Sequence, residues 1–143
     1  PPVYRPIARV REGQLLRGLA SCAMDTSDGA LVTLDELSRL NGVGFVLERE
    51  VAEVLHPAAR AVAQTAGLPA WTLLAGPHGE FELLFTVPDE HAADLTSRAA
   101  AAGWEPLKLG RVVREPGVLL ADGTSLATRE RNRHAAAIAS GNS

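Results

Sequence analysis

The sequence predicts helices packed on a mixed β-sheet, an α+β or α/β arrangement, and three observations carry that reading. Segments that alternate or run apolar, as strands do, take turns with segments of helical period along the 143 residues. Toward the C-terminal end, Asp122-Gly123 is a tight-turn dipeptide between apolar runs, which adds a hairpin to the alternation. The length is that of one domain, and 46% hydrophobic residues suffice to bury a core.

The elements follow in order. Residues 1–11, with Pro1, Pro2 and Pro6, read as an extended lead-in or linker, and residues 12–143 as a single domain. Leu15, Leu16 and Leu19 have helical spacing within a helix over 12–20 that feeds a strand at 21–24. Ser27 is suited to cap a helix over 27–40, with Ala30, Leu31, Leu34 and Leu37 on one face and Asp35, Glu36 and Arg39 on the other. Asn41-Gly42 stops it, and a strand over 43–47 follows. Pro57 opens an Ala-rich helix over 56–66 that ends at Gly67. Residues 69–79 read as a short helix or turn and then a loop. Phe81, Leu83, Phe85 and Val87 alternate with Glu82, Leu84 and Thr86, which predicts a central strand with one apolar face. Pro88 and Asp89 begin a helix whose Ala92, Leu95, Ala99 and Ala102 form a stripe, with Gly103 as its stop. Strands at 104–113 and 117–121, the Asp122-Gly123 turn and a last helix from Thr128 to about Ala139 complete the chain.

Composition excludes several functions. A net charge of -3 and no Lys/Arg-rich run leave no field for sequence-independent nucleic-acid binding. No apolar run approaches the roughly 20 residues of a membrane span, and no signal-peptide pattern is present. The chain reads as soluble and cytoplasmic. Cys22 is the only cysteine, which excludes an internal disulfide and a cysteine zinc cluster.

The stretch with chemistry to offer is Asp25-Thr26-Ser27-Asp28-Gly29, a strand breaking into an acidic turn and then a helix. A helix N-terminus attracts phosphate, and two carboxylates three residues apart suit a hard divalent cation. Helix capping alone also accounts for Ser27 and Asp28.

The order D-T-S-D-G-A-L, then N-G-V-G-F, then G-E-F-E-L-L-F-T-V-P and Gly110-Arg111 resembles the C-terminal domain of the aminoimidazole ribonucleotide synthetase superfamily, with thiamine-monophosphate kinase the most similar member. The similarity spans about residues 5–120. It implies an α+β fold of partial ferredoxin-like topology. It also implies that the chain is the second half of an enzyme that uses ATP and Mg2+ to phosphorylate or activate a small phosphorylated or amide-type metabolite. Asp25 and Asp28 would then be metal ligands, and Ser27 and Gly29 nucleotide contacts. An N-terminal ATP-binding domain would be the missing partner, and a homodimer is allowed. His78, Glu80 and Glu82 fall where the substrate would lie. Here the sequence departs from the kinase pattern: Gly79 stands where an acid is expected unless Glu80 supplies it through a one-residue shift, and no aromatic residue follows Trp104. The alternative is a stand-alone binding module that keeps the fold without the chemistry. His56, His91 and His134 lack metal-ligand spacing.

Overall fold

The computed structural model describes residues 7–76 and 81–126. The element order is α1 (Val10–Leu15), β1 (Cys22–Asp25), α2 (Ala30–Asn41), β2 (Gly44–Leu47), α3 (Val51–Val54), α4 (Pro57–Ala66), a 3-10 turn (Ala70–Leu74), β3 (Leu83–Thr86), α5 (Asp89–Ala101), β4 (Gly110–Val113) and β5 (Gly117–Leu119). The class is α+β, as the resemblance implied, but the strands form two sheets rather than one. β1 pairs antiparallel with β3, while β2 is the centre of a three-stranded sheet, antiparallel to β4 and parallel to β5. The chain thus holds two β-α-β units, β1-α2-β2 and β3-α5-β4. Their first strands pair with each other, and so do their second strands.

The main core lies between α2 and the two sheets. Leu31, Leu34 and Leu37 of α2 meet Phe45 and Leu47 of β2, Leu84 of β3 and Val118 of β5, which is 0% exposed. Two polar residues on α2 are buried with them. Ser38 donates its hydroxyl to the Val43 carbonyl and accepts the Gly117 N–H at 2.9 Å, tying the helix end to both β2 and β5. Its backbone stop is Gly42, at φ 64°, as the Asn41-Gly42 pair predicts.

Among the described residues β3 is not a central strand, since its one neighbour there is β1. Nor does it have a single apolar face. Leu84 enters the main core, whereas Leu83 and Phe85 pack with Leu16, Leu19 and Leu95 in a second cluster between α1, α5 and β3. Trp104 belongs to that cluster, its ring 5.7 Å from that of Phe85. This contact explains why residues 104–109 are not strand: Trp104 turns inward over Phe85, Pro106 lacks an N–H, and pairing with β2 begins only at Gly110. On α5 the buried positions are Leu95 and Ala99, while Ala92 is exposed.

Other boundaries move. The first helix is Val10–Leu15 and so begins inside the expected lead-in. The first strand is Cys22–Asp25, one residue later than expected, and β3 and β5 are shorter than expected at Leu83–Thr86 and Gly117–Leu119. The hairpin at Asp122-Gly123 is reduced to one antiparallel bridge, Leu119 to Ser125, with Leu126 N–H bonded to the Val118 carbonyl at 2.9 Å. Pro57 and Gly67 bound α4 as expected, and His56 caps it by accepting the Ala58 N–H at 3.2 Å. The short α3 has no counterpart in the sequence reading. The helix expected over 128–139, His134, His78 and Glu80 lie outside the described residues. Among the described residues no helix is long and apolar enough to cross a membrane.

Candidate functional site

The acidic turn starts where β1 ends, with Asp25 opposite Leu83 at the head of β3. Thr26 extends the ladder one step further. Its N–H donates to the Glu82 carbonyl at 3.0 Å, and its Oγ1 accepts the Glu82 N–H at 3.2 Å. Thr26 is only 4% exposed, so both bonds are shielded from water. The chain then reverses. Asp25 Oδ1 accepts the Ser27 N–H at 3.0 Å, and the Gly29 N–H closes the turn on the Thr26 carbonyl at 2.8 Å.

Gly29 sits at φ 100°, and a Cβ there would stand 2.7 Å from Gly76 N and 2.9 Å from the Leu74 carbonyl oxygen. Conformation and space both require glycine. The helix α2 begins immediately after it. Gly29, not Ser27, occupies the N-cap position, and among the described residues no side-chain hydrogen bond caps the helix. The sequence reading put the cap two residues early because Ser27 has the right chemistry. Here the Ser27 N–H instead serves Asp25, and the seat of Gly29 against Gly76 sets where helical geometry starts. Thr33, buried in the first turns of α2, donates its hydroxyl to the Asp25 carbonyl at 3.0 Å and lies 3.1 Å from the Gly29 carbonyl. The helix is thereby tied back to the end of β1.

The resulting geometry presents Asp25 and Asp28, both exposed, beside the uncapped positive end of a 12-residue helix. The Ser27 hydroxyl and N–H, both directed at Asp25, hold its carboxyl below the usual aspartate range, against a smaller opposing effect of burial. Oxygen donors of this kind suit a hard cation that keeps water and phosphate oxygens in its shell. Among the described residues no group of three or more His, Cys, Asp or Glu is placed to hold a metal unaided. A groove of about 860 Å³ lies elsewhere, between β3, β4 and α5, and no residue of the acidic turn borders it.

The structure also joins the two sequence motifs. Gly76 packs on Gly29 and Glu82 pairs with Thr26, so a described residue on each side of positions 77–80 sits against the acidic turn. Glu82, expected at the substrate, has its carboxylate engaged by Arg9, with Nε to Oε2 at 2.8 Å and Nη2 to Oε1 at 2.7 Å. Thr26, Thr33 and Arg9 went unremarked in the sequence reading. Thr33 gave a signal, a hydroxyl on the apolar face of α2, whereas Thr26 and Arg9 gave none.

The two-sheet frame that carries this strand, acidic turn and helix has an aminoimidazole ribonucleotide synthetase-like fold. No family model matches the chain. Within that class its relatives are thiamine-monophosphate kinases. It is 34% identical over 120 residues to the thiamine-monophosphate kinase of Pyrococcus abyssi, covering 80% of this chain and 37% of that protein. The crystal structure of the enzyme from Stenotrophomonas maltophilia aligns with a TM-score of 0.69 at 27% identity, over 85% of this chain and 37% of that one. The AaThiL structure complexed with AMPPCP and TMP aligns at 0.62 and 25% identity, over 86% and 37%. The chain spans about a third of the length of the curated relatives it matches.

Proposed function

We propose that this chain forms the part of an ATP-dependent, thiamine-monophosphate-kinase-like enzyme that closes over the nucleotide phosphates. One observation carries the reading: two exposed aspartates and the open N-terminus of α2 belong to one turn whose shape is fixed by Thr26, Gly29 and Thr33. The similarity to kinases, one of them complexed with AMPPCP, supports it. Asp25 and Asp28 are the residues that would hold Mg2+, and Ser27 and Gly29 those that would face the nucleotide. A bound Mg2+ would offset the phosphate charge that must be spread during phosphoryl transfer. For its part, the chain orients the two carboxylates, keeps Asp25 ionised and supplies helix N–H donors to the phosphate oxygens. His78 and Glu80 remain the candidates for substrate contact by their position between Gly76 and Glu82. The residues from Arg9 and α1 onward serve as one domain, completed by an ATP-binding domain outside this chain.

The test is calorimetric titration of AMPPCP with and without Mg2+, on the protein that carries this chain at its natural length. Binding is expected to be saturable and Mg2+-dependent, and weakened about tenfold or more by Asp25→Ala or Asp28→Ala, a loss of at least about 1.4 kcal/mol. Binding that is indifferent to Mg2+ and to both substitutions overturns the reading in favour of a binding module without the chemistry.

A further inference from the structure

Resting on that reading of the acidic turn, we infer that Arg9 is a positioning residue for it, acting through Glu82. The Arg9 guanidinium grips both carboxylate oxygens of Glu82, at 2.8 and 2.7 Å, in the fork geometry that fixes orientation as well as distance. Glu12 adds a second carboxylate at 3.5 Å from Nη1. These two acids hold the guanidinium charged, Glu82 having the larger effect.

What Glu82 does with its backbone gives the pair its consequence. Glu82 lies just before β3 begins, and its N–H and carbonyl are the two groups that clamp Thr26, the residue between Asp25 and Ser27. The Arg9 side chain therefore reaches the acidic turn through one residue, Glu82. Arg9 itself is anchored: it precedes α1, its carbonyl accepts the Gly13 N–H at 2.9 Å, and α1 lies against α5, with Gly13 facing Leu83 of β3. Exposed ion pairs contribute little to global stability. This one joins elements 73 residues apart in sequence, and it does so at the turn. The pair thus couples the chain segment that enters α1 to the carboxylates of the site.

The experiment is amide hydrogen exchange, residue by residue, without nucleotide, in Arg9→Gln, Glu82→Gln and the exchanged pair Arg9→Glu with Glu82→Arg. Each single variant is expected to speed exchange at Thr26 and Glu82 by about fivefold or more, with β2 and β4 amides changed less than about twofold, and the exchanged pair to restore both sites. In the presence of Mg2+, AMPPCP dissociation constants should rise about threefold to tenfold in the single variants and recover in the exchanged pair. Unchanged exchange at Thr26 and Glu82 overturns the proposal, as does a uniform rise in all strands. If Arg9→Gln fails to fold, Arg9→Lys, which keeps the charge and loses the fork, carries the same comparison. Exchange is read without nucleotide, so failure of the nucleotide reading, seen as Mg2+-indifferent AMPPCP binding, stays distinct from failure of this one.

Discussion

The β4-β2-β5 sheet and the β1-β3 pair are held by different physics. In the first, Phe45, Leu47 and Val118 are buried against α2, and area removed from water sets the stability. In the second, Ala23 and Asp25 of β1 are exposed, and the end that carries the site is fixed by directed contacts: the Thr26 clamp, the Thr33 hydroxyl, the seat of Gly29 and the Arg9 to Glu82 pair. Burial tolerates small shifts because it has no direction. Directed contacts do not, and a site that must hold two carboxylates in register needs the second kind.

The largest expected effect breaks the first region. Phe45→Ala removes a core aromatic and should cost about 3–5 kcal/mol in urea unfolding, with AMPPCP affinity unchanged at temperatures where the variant is folded. Loss of affinity in the folded variant would show that the two regions are not separable. Gly29→Ala reverses the pattern. Strain at φ 100° and the clash with Gly76 should cost about 1–3 kcal/mol, and affinity should fall at least about tenfold because the turn and the start of α2 move together. If stability falls and affinity does not, the turn is not the site. The smallest effect concerns Asp25. Its carboxyl is depressed in the folded state, so its stabilising contribution is fully present above the ordinary aspartate value of about 3.9 and is lost as pH falls through the lower folded value. Ser27→Ala should raise that value toward the ordinary one, read by carboxyl-carbon NMR titration. An unmoved titration would remove Ser27 from the turn's electrostatics.

The same contrast explains what the sequence disclosed. Apolar period found α2 and α5, Pro57 and an Ala-rich run found α4, and Gly42, Gly67 and Gly103 marked their ends, because those signals are local. The acidic turn was legible as chemistry, and its family resemblance extended to the fold. The start of α2 was not legible, because it depends on Gly76 reaching Gly29 from another part of the chain. The two-sided packing of β3 was hidden for a related reason. Alternation reports which side chains share a face, but it cannot say that Leu84 enters one core while Leu83 and Phe85 enter another. Arg9 looked like ordinary surface charge and Glu82 like a substrate contact, since nothing local shows that the two, 73 residues apart, are partners.

The Thr26 clamp also sets an order of events. Its two bonds close a span of 56 residues, and loop-closure entropy must be overcome before either bond forms. Helix α2 and the turn's own bonds are local, whereas the clamp on Thr26 closes only when β3 docks. During synthesis of the chain, Asp25 and Asp28 therefore emerge long before the Thr26 clamp closes, because Glu82 arrives only with the second β-α-β unit.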